Sequence, residues 1–189
     1  MSAEVYFALK PEEQALEDVK TLGDILPSNS IYLSHIDCLG HARKSPNKMG
    51  IHMTLLDGMI PNPHSIKDLD RRMKMAITSI VPRGNYRLLP MVSSFKRELI
   101  LVPNVEDERV IRKARKNLIK NLDITVEDDE YLPHVTLVRF DIAADIDLIR
   151  KRINELTVLF RTLTVYTCLR GPSRHPISNT FRPGLSLRN

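Results

Sequence analysis

The chain has 189 residues, 42% of them hydrophobic and 27% charged, which is enough apolar material for one sizeable core, with no run near the roughly 20 apolar residues of a membrane-spanning helix. Its formal net charge of +5 suits a polyanionic partner without requiring one. Two cysteines, Cys38 and Cys168, are too few for a disulfide framework or a zinc site and read as reduced thiols.

In chain order, Met1-Ser2-Ala3-Glu4 lacks the charge and apolar pattern of a signal peptide, so a cytoplasmic location is expected, and Val5 to Leu9 reads as a first strand. Pro11 opens a helix with Ala15, Leu16, Val19, Leu22, Ile25 and Leu26 at helical spacing, ended by Pro27-Ser28-Asn29-Ser30. A strand near Ile31 to Ser34 leads into a polar, basic loop, His41 to Lys48, and then into a strand around Ile51 to Leu56. After Pro61-Asn62-Pro63, Ser65 and Asp68 resemble a capping box for a helix that buries Ile66, Leu69, Met73, Ala76, Ile77 and Ile80. Two strands, Tyr86 to Val92 and Arg97 to Val102, reverse near Ser93-Ser94.

A helix over Val105 to Leu122 buries Val110, Ile111, Ala114, Leu118, Ile119 and Leu122. Its basic residues Arg109, Arg112, Lys113, Arg115, Lys116 and Lys120 fall largely off that stripe and read as a solvated face. The acidic loop Glu127 to Glu130 delivers the chain through Tyr131-Leu132-Pro133 into a strand from His134 to Phe140. A fourth helix, Asp147 to Phe160, turns Leu148, Ile149, Ile153 and Leu156 inward. A long strand, Arg161 to Leu169, precedes a basic, Pro- and Gly-rich loop from Arg170 to Gly184 and a short edge strand, Leu185 to Leu187. The two halves repeat one order of elements, each with a helix soon after a His-containing strand. That order predicts an α+β fold of two pseudo-symmetric lobes of antiparallel β-sheet around a central cleft, helices outside, as a single domain over residues 1–189.

Each half carries one copy of a short pattern, His52-Met53-Thr54-Leu55 and His134-Val135-Thr136-Leu137. On a strand, side chains two apart share a face at about 7 Å, so each copy presents an imidazole and a hydroxyl in one direction. Two copies facing each other would bracket a small anion between a general acid and a general base. Histidine suits both roles because its pKa near 6.5 leaves either form available near neutrality. A metal reading is weaker: Asp57 and Asp141 stand at odd offsets from their histidines and face away on a regular strand. A serine nucleophile is weaker still, for no Gly-x-Ser-x-Gly elbow is present.

On these motifs, on Tyr131-Leu132-Pro133-His134-Val135-Thr136-Leu137-Val138-Arg139 and on Tyr6-Phe7-Ala8-Leu9 before Pro11, the chain resembles the two-histidine phosphoesterase superfamily. The group it resembles is that of the RNA 2′,3′-cyclic phosphodiesterases, also called 2′-5′ RNA ligases. The resemblance implies His52 and His134 as catalytic residues and Thr54 and Thr136 as phosphate-binding donors. It implies Arg139 and the first-strand aromatic Phe7 as substrate contacts, with no metal and no cofactor. Tyr131 is a further aromatic candidate. Simple alternation puts Arg139 on the face opposite His134, so a phosphate contact needs a bulge or a strand end there. Phe7 and Tyr131 read either as base-stacking platforms or as core.

The activity implied is metal-independent hydrolysis of 2′,3′-cyclic phosphate termini of RNA or small cyclic nucleotides to a 2′-phosphate. The alternatives are a hydrolase of 2′-5′-linked or cyclic oligonucleotides and an RNA-binding module of the same fold without turnover. No membrane and no obligate protein partner is indicated. The loops Arg43 to Lys48 and Arg170 to Arg182 are candidates for guiding an RNA backbone.

Overall fold

The computed structural model describes residues 2–11, 19, 26, 31–34, 43–44, 51–61, 64–80, 86–94, 96–126, 130–153, 159–160 and 163–170. The elements are β1 (Ser2–Pro11), β2 (Ile31–Ser34), β3 (Arg43–Lys44), β4 (Met53–Pro61), α1 (Ile66–Ile80), β5 (Tyr86–Ser93), β6 (Glu98–Pro103), α2 (Val105–Leu122), β7 (Val135–Phe140), α3 (Ile146–Ile153), β8 (Leu159–Phe160) and β9 (Leu163–Arg170). The strands run in the order β8-β5-β6-β7-β4-β1-β9, with β2 beside β7 and β3 beside β2. The pairings along this path are antiparallel, and β2 pairs with β3 in parallel. The expected α+β architecture, mostly antiparallel with a repeated order, is the one observed.

The halves β5-β6-β7 and β9-β1-β4 meet at the pair Met53↔Val135. Beyond that pair β7 takes β2 as its neighbour, at Ser34↔Val138 and Ile31↔Phe140, so the two halves diverge from a single point. Both central strands carry a β-bulge at the same place. In β4, Phe7 pairs with Leu56 and Ala8 with Thr54, leaving Leu55 as the extra residue. In β7, Leu99 pairs with Val138 and Ile100 with Thr136, leaving Leu137 extra. A bulge reverses the alternation of a strand, and two adjacent apolar residues then face the same way. Burial follows that rule: Met53, Leu55, Leu56 and Ile60 are core on β4, and Val135, Leu137, Val138 and Phe140 are core on β7.

The helices close over that apolar face. α2 packs on β4 and β6, α1 on α2, and α3 on β5. At the head of α1 the Ser65 hydroxyl accepts from the Asp68 amide at 3.1 Å, the cap expected from the sequence. Asn104 caps α2 by accepting from Asp107 N at 2.8 Å, and Asp123 ends it in the left-handed region at φ 53°. Ile111, Ala114, Leu118 and Leu122 are buried as expected, but Val110 is exposed because it falls off the stripe that meets the sheet. Two further expectations are corrected. Leu148 is exposed, and Leu159–Phe160 is not helical but pairs with Tyr86 and Arg87 as β8. The physical reason lies in the backbone, whose hydrogen bonds there are made with the edge strand β5 rather than within a helix turn.

The chain leaving α2 returns along β4, where Met59 and Thr125 exchange backbone hydrogen bonds of 3.3 and 3.1 Å. Gly58 permits this approach: a Cβ there would lie 2.4 Å from Ile124 Cγ2 and 2.9 Å from the Thr125 carbonyl oxygen. Of the helix expected after Pro11 only Val19 and Leu26 are described, both buried, and the rest lies outside the described residues. So do residues 45–50 of the first basic loop, most of the acidic loop and everything after residue 170. Among the described residues no helix is long and apolar enough to cross a membrane.

Candidate active site

The Met53↔Val135 pair is what brings the two motifs together. Both side chains are fully buried on the helix-covered face. The neighbours of that pair, His52 and Thr54 on one strand and His134 and Thr136 on the other, alternate to the opposite face. All four side chains are half-buried on the face away from the helices. Both imidazoles and both hydroxyls therefore share one face on either side of the seam between the two halves.

Each imidazole is held by its surroundings. His134 Nδ1 lies 2.8 Å from the Leu132 carbonyl oxygen. A carbonyl can only accept, so Nδ1 carries the proton and Nε2 is the nitrogen left to exchange one. The His52 ring meets the Tyr6 ring edge to face, with centroids 6.0 Å apart and planes at 70°. The Tyr6 hydroxyl makes a short hydrogen bond with Thr54 Oγ1. Tyr131, two residues before the proline that precedes His134, donates its hydroxyl to the Thr54 carbonyl at 2.8 Å.

Two cations of α2 cover the Tyr131 ring, Arg115 at 4.6 Å from the centroid and Arg112 at 5.9 Å. Arg112 is steadied by Glu108, 2.6 Å away. Burial pushes the Tyr131 phenol well above its usual range, and the two guanidinium groups only partly offset this. Part of the basic stretch on this helix is therefore not a solvated face but the packing around a tyrosine of the site.

The bulges decide which further residues join. Because Leu137 is extra, Arg139 lies on the same face as His134 and Thr136, where a regular strand would have turned it away. Its neighbour on β6 is Glu98, which receives both Nε, at 2.9 Å, and Nη2 on Oε1. Asp57 is brought to the face of Thr54 by the bulge at Leu55, correcting the expectation that it faces away, and its neighbour on β1 is Tyr6. Among the described residues no group of three or more His, Cys, Asp and Glu side chains is close enough to hold a metal ion.

Phe7 does not reach the site. It pairs with Leu56 on the core face and is 0% exposed, so it has no surface on which a base could stack. The first-strand aromatic on the site face is Tyr6, one residue earlier. Tyr6 and Glu98 are the members that sequence reasoning missed. The signal for both was the apolar doublets Leu55-Leu56 and Leu137-Val138, which mark the reversals of alternation.

No protein-family model matches the chain, and no curated protein matches it in sequence. Its fold does match solved structures. Apo LigT of E. coli aligns with a TM-score of 0.59 at 14% identity, over 92% of this chain and 90% of that one. LigT complexed with 3′-AMP gives 0.57 at 14%, over 92% and 91%. A structure described as a phosphoesterase gives 0.53 at 14%, over 91% of each. The α+β fold expected from the sequence is thus one that this chain shares with LigT and with that phosphoesterase.

Proposed function

We propose that this chain is a metal-independent phosphodiesterase that opens 2′,3′-cyclic phosphate termini of RNA or nucleotides. The observation that carries the reading is the meeting of the two His-x-Thr motifs in antiparallel register at Met53 and Val135, with both histidines on one half-buried face. LigT has been crystallised with 3′-AMP, NADP+, ATP and phosphate, ligands that share a phosphoryl group, and this class of ligand is the one carried over to the site here.

In this reading one imidazole takes a proton from water as its oxygen attacks phosphorus, and the other gives a proton to the departing ribose 3′ oxygen. The P–O3′ bond breaks, leaving a 2′-phosphate and a 3′-hydroxyl. The rings begin in opposite protonation states and exchange protons with solvent to reset. For His134 the working atom is Nε2, since Nδ1 is engaged by Leu132. The Thr136 and Thr54 hydroxyls donate to the non-bridging oxygens, holding the phosphate in line and stabilising the charge that develops on it. Placement of the four groups on one face around the Met53↔Val135 pair is what would let one phosphate touch them all.

The test is phosphorus NMR of the four nucleoside 2′,3′-cyclic monophosphates with the protein in excess EDTA, beside His52→Ala and His134→Ala. The expected result is a 2′-monophosphate product unaffected by EDTA, with kcat lowered at least about 10²-fold in each variant. Turnover that EDTA abolishes, turnover undiminished in either variant, or no turnover of any of the four overturns the reading.

A further inference from the structure

Glu98 is a carboxylate in an unusual place. Its side chain is 4% exposed, on the β6 strand that flanks the second motif, and it is ion-paired to Arg139, whose side chain is 53% exposed. A buried carboxylate costs desolvation that a surface partner recovers only in part, so such a pair adds little to stability by itself. What it does supply is geometry. With Nε and Nη2 both bound to one oxygen of Glu98, the guanidinium plane is fixed and its remaining N–H groups are left at the half-exposed end.

The register adds a direction. The bulge at Leu137 places this pair on the face of His134 and Thr136. The corresponding positions of the other half are Tyr6 and Asp57, also paired across a bulge, and carry no cation. The two half-sites are thus matched in their histidines and threonines and unlike beyond them, with a guanidinium held by a carboxylate on one side and a carboxylate beside a phenol on the other, so only the β7 side offers an anionic substrate N–H donors of a cation.

Resting on the phosphodiesterase reading, we propose that Glu98 is a positioning residue: it holds Arg139 on the site face so that the outer edge of the guanidinium takes a phosphate oxygen of the RNA terminus. Arg139 stands beyond the His-x-Thr motif and takes no part in proton transfer, so its contact is made with bound substrate and transition state alike and is expressed in KM rather than kcat. Without Glu98 the arginine must be ordered anew at each binding event.

The test uses a dinucleotide ending in a 2′,3′-cyclic phosphate, which offers both its phosphates to Arg139. Glu98→Ala and Arg139→Ala are each expected to raise KM about tenfold with kcat within about threefold. The double variant should be no worse than either single one, because the two residues act as one unit. Glu98→Gln keeps an acceptor for the guanidinium and should return KM to within about threefold of the unmodified protein. A purely structural pair would instead lower the melting temperature of Glu98→Ala with KM unchanged, and that result overturns the proposal. Should Arg139→Ala fail to fold around an unpaired carboxylate, the double variant decides, since unaltered KM in it is equally fatal. If the unmodified protein turns over no dinucleotide, the phosphodiesterase reading falls separately. The positioning role is then read from calorimetric binding of adenosine 2′-monophosphate, and a dissociation constant indifferent to Glu98→Ala overturns it.

Discussion

The Tyr131 hydroxyl donates to the main-chain carbonyl of Thr54 at 2.8 Å, so the segment that ends in His134 is fastened to the strand that carries the first motif. Together with the Met59 and Thr125 exchange and the Met53↔Val135 pair, it ties Thr125, Tyr131 and Val135 to three successive points of β4. The spacing of the two histidines is therefore set by local hydrogen bonds between the half-sites as well as by the sheet.

Tyr131→Phe keeps the ring beneath Arg115 and removes only the hydroxyl. The expected loss of stability is about 1 kcal/mol, the usual worth of one such bond. The expected fall in kcat/KM on a cyclic mononucleotide is about tenfold, because a small displacement of His134 relative to Thr54 spoils alignment. Urea unfolding and steady-state kinetics measure the two effects, and unchanged kinetics would show that the bond has no part in placing the histidine.

Phe7 is core, and its substitution should behave accordingly. Phe7→Ala is expected to cost about 3–5 kcal/mol, as for other buried aromatics. The milder Phe7→Leu should fold and give KM values for adenosine and cytidine 2′,3′-cyclic phosphates that match those of the unmodified protein. A base-dependent rise in KM in Phe7→Leu would contradict the buried placement.

Gly58→Ala tests the return of the chain along β4. A methyl group 2.4 Å from Ile124 Cγ2 and 2.9 Å from a backbone oxygen forces the 124–126 segment outward, at an expected cost of about 1–3 kcal/mol. Faster exchange of the Thr125 amide, read by hydrogen–deuterium exchange, should accompany it. Unchanged protection at Thr125 would count against the crowding.

Alkaline conditions should destabilise the protein through Tyr86. Burial, with Asp107 nearby, pushes its phenol from the usual 10 up to about 12. The folded state thus keeps the proton after the unfolded state has released it. This contribution is complete below pH 10 and is lost as pH rises toward 12. Chemical denaturation at pH 9, 10 and 11 should show stability falling across that window, and less steeply in Tyr86→Phe; equal slopes would remove Tyr86 as the cause.

Much of this was written in local pattern. The strands at Tyr86 and Glu98, the cap at Ser65, the helix from Val105 and the two His-x-Thr strands all follow from periodicity and turn chemistry, which act over a few residues. What did not follow were facts of pairing. Alternation alone sent Arg139 and Asp57 to the wrong face, because a bulge is defined against a partner strand and leaves only an apolar doublet in its own. Phe7 and Tyr6 both read as first-strand aromatics, and only the register with Leu56 and Thr54 separates core from site. Nothing local marks Glu98, whose role comes only from facing Arg139 across β6 and β7.

The two extra residues, Leu55 and Leu137, give the site a dependence on residue count as well as residue kind. Loss of the single codon for Leu137 would remove the extra residue, and strict alternation would then keep the arginine, now two positions after Thr136, on the same face but about 3 Å nearer the motif. A one-codon insertion at the same place would instead turn that arginine toward the apolar interior, while a swap of one aliphatic residue for another there is close to silent.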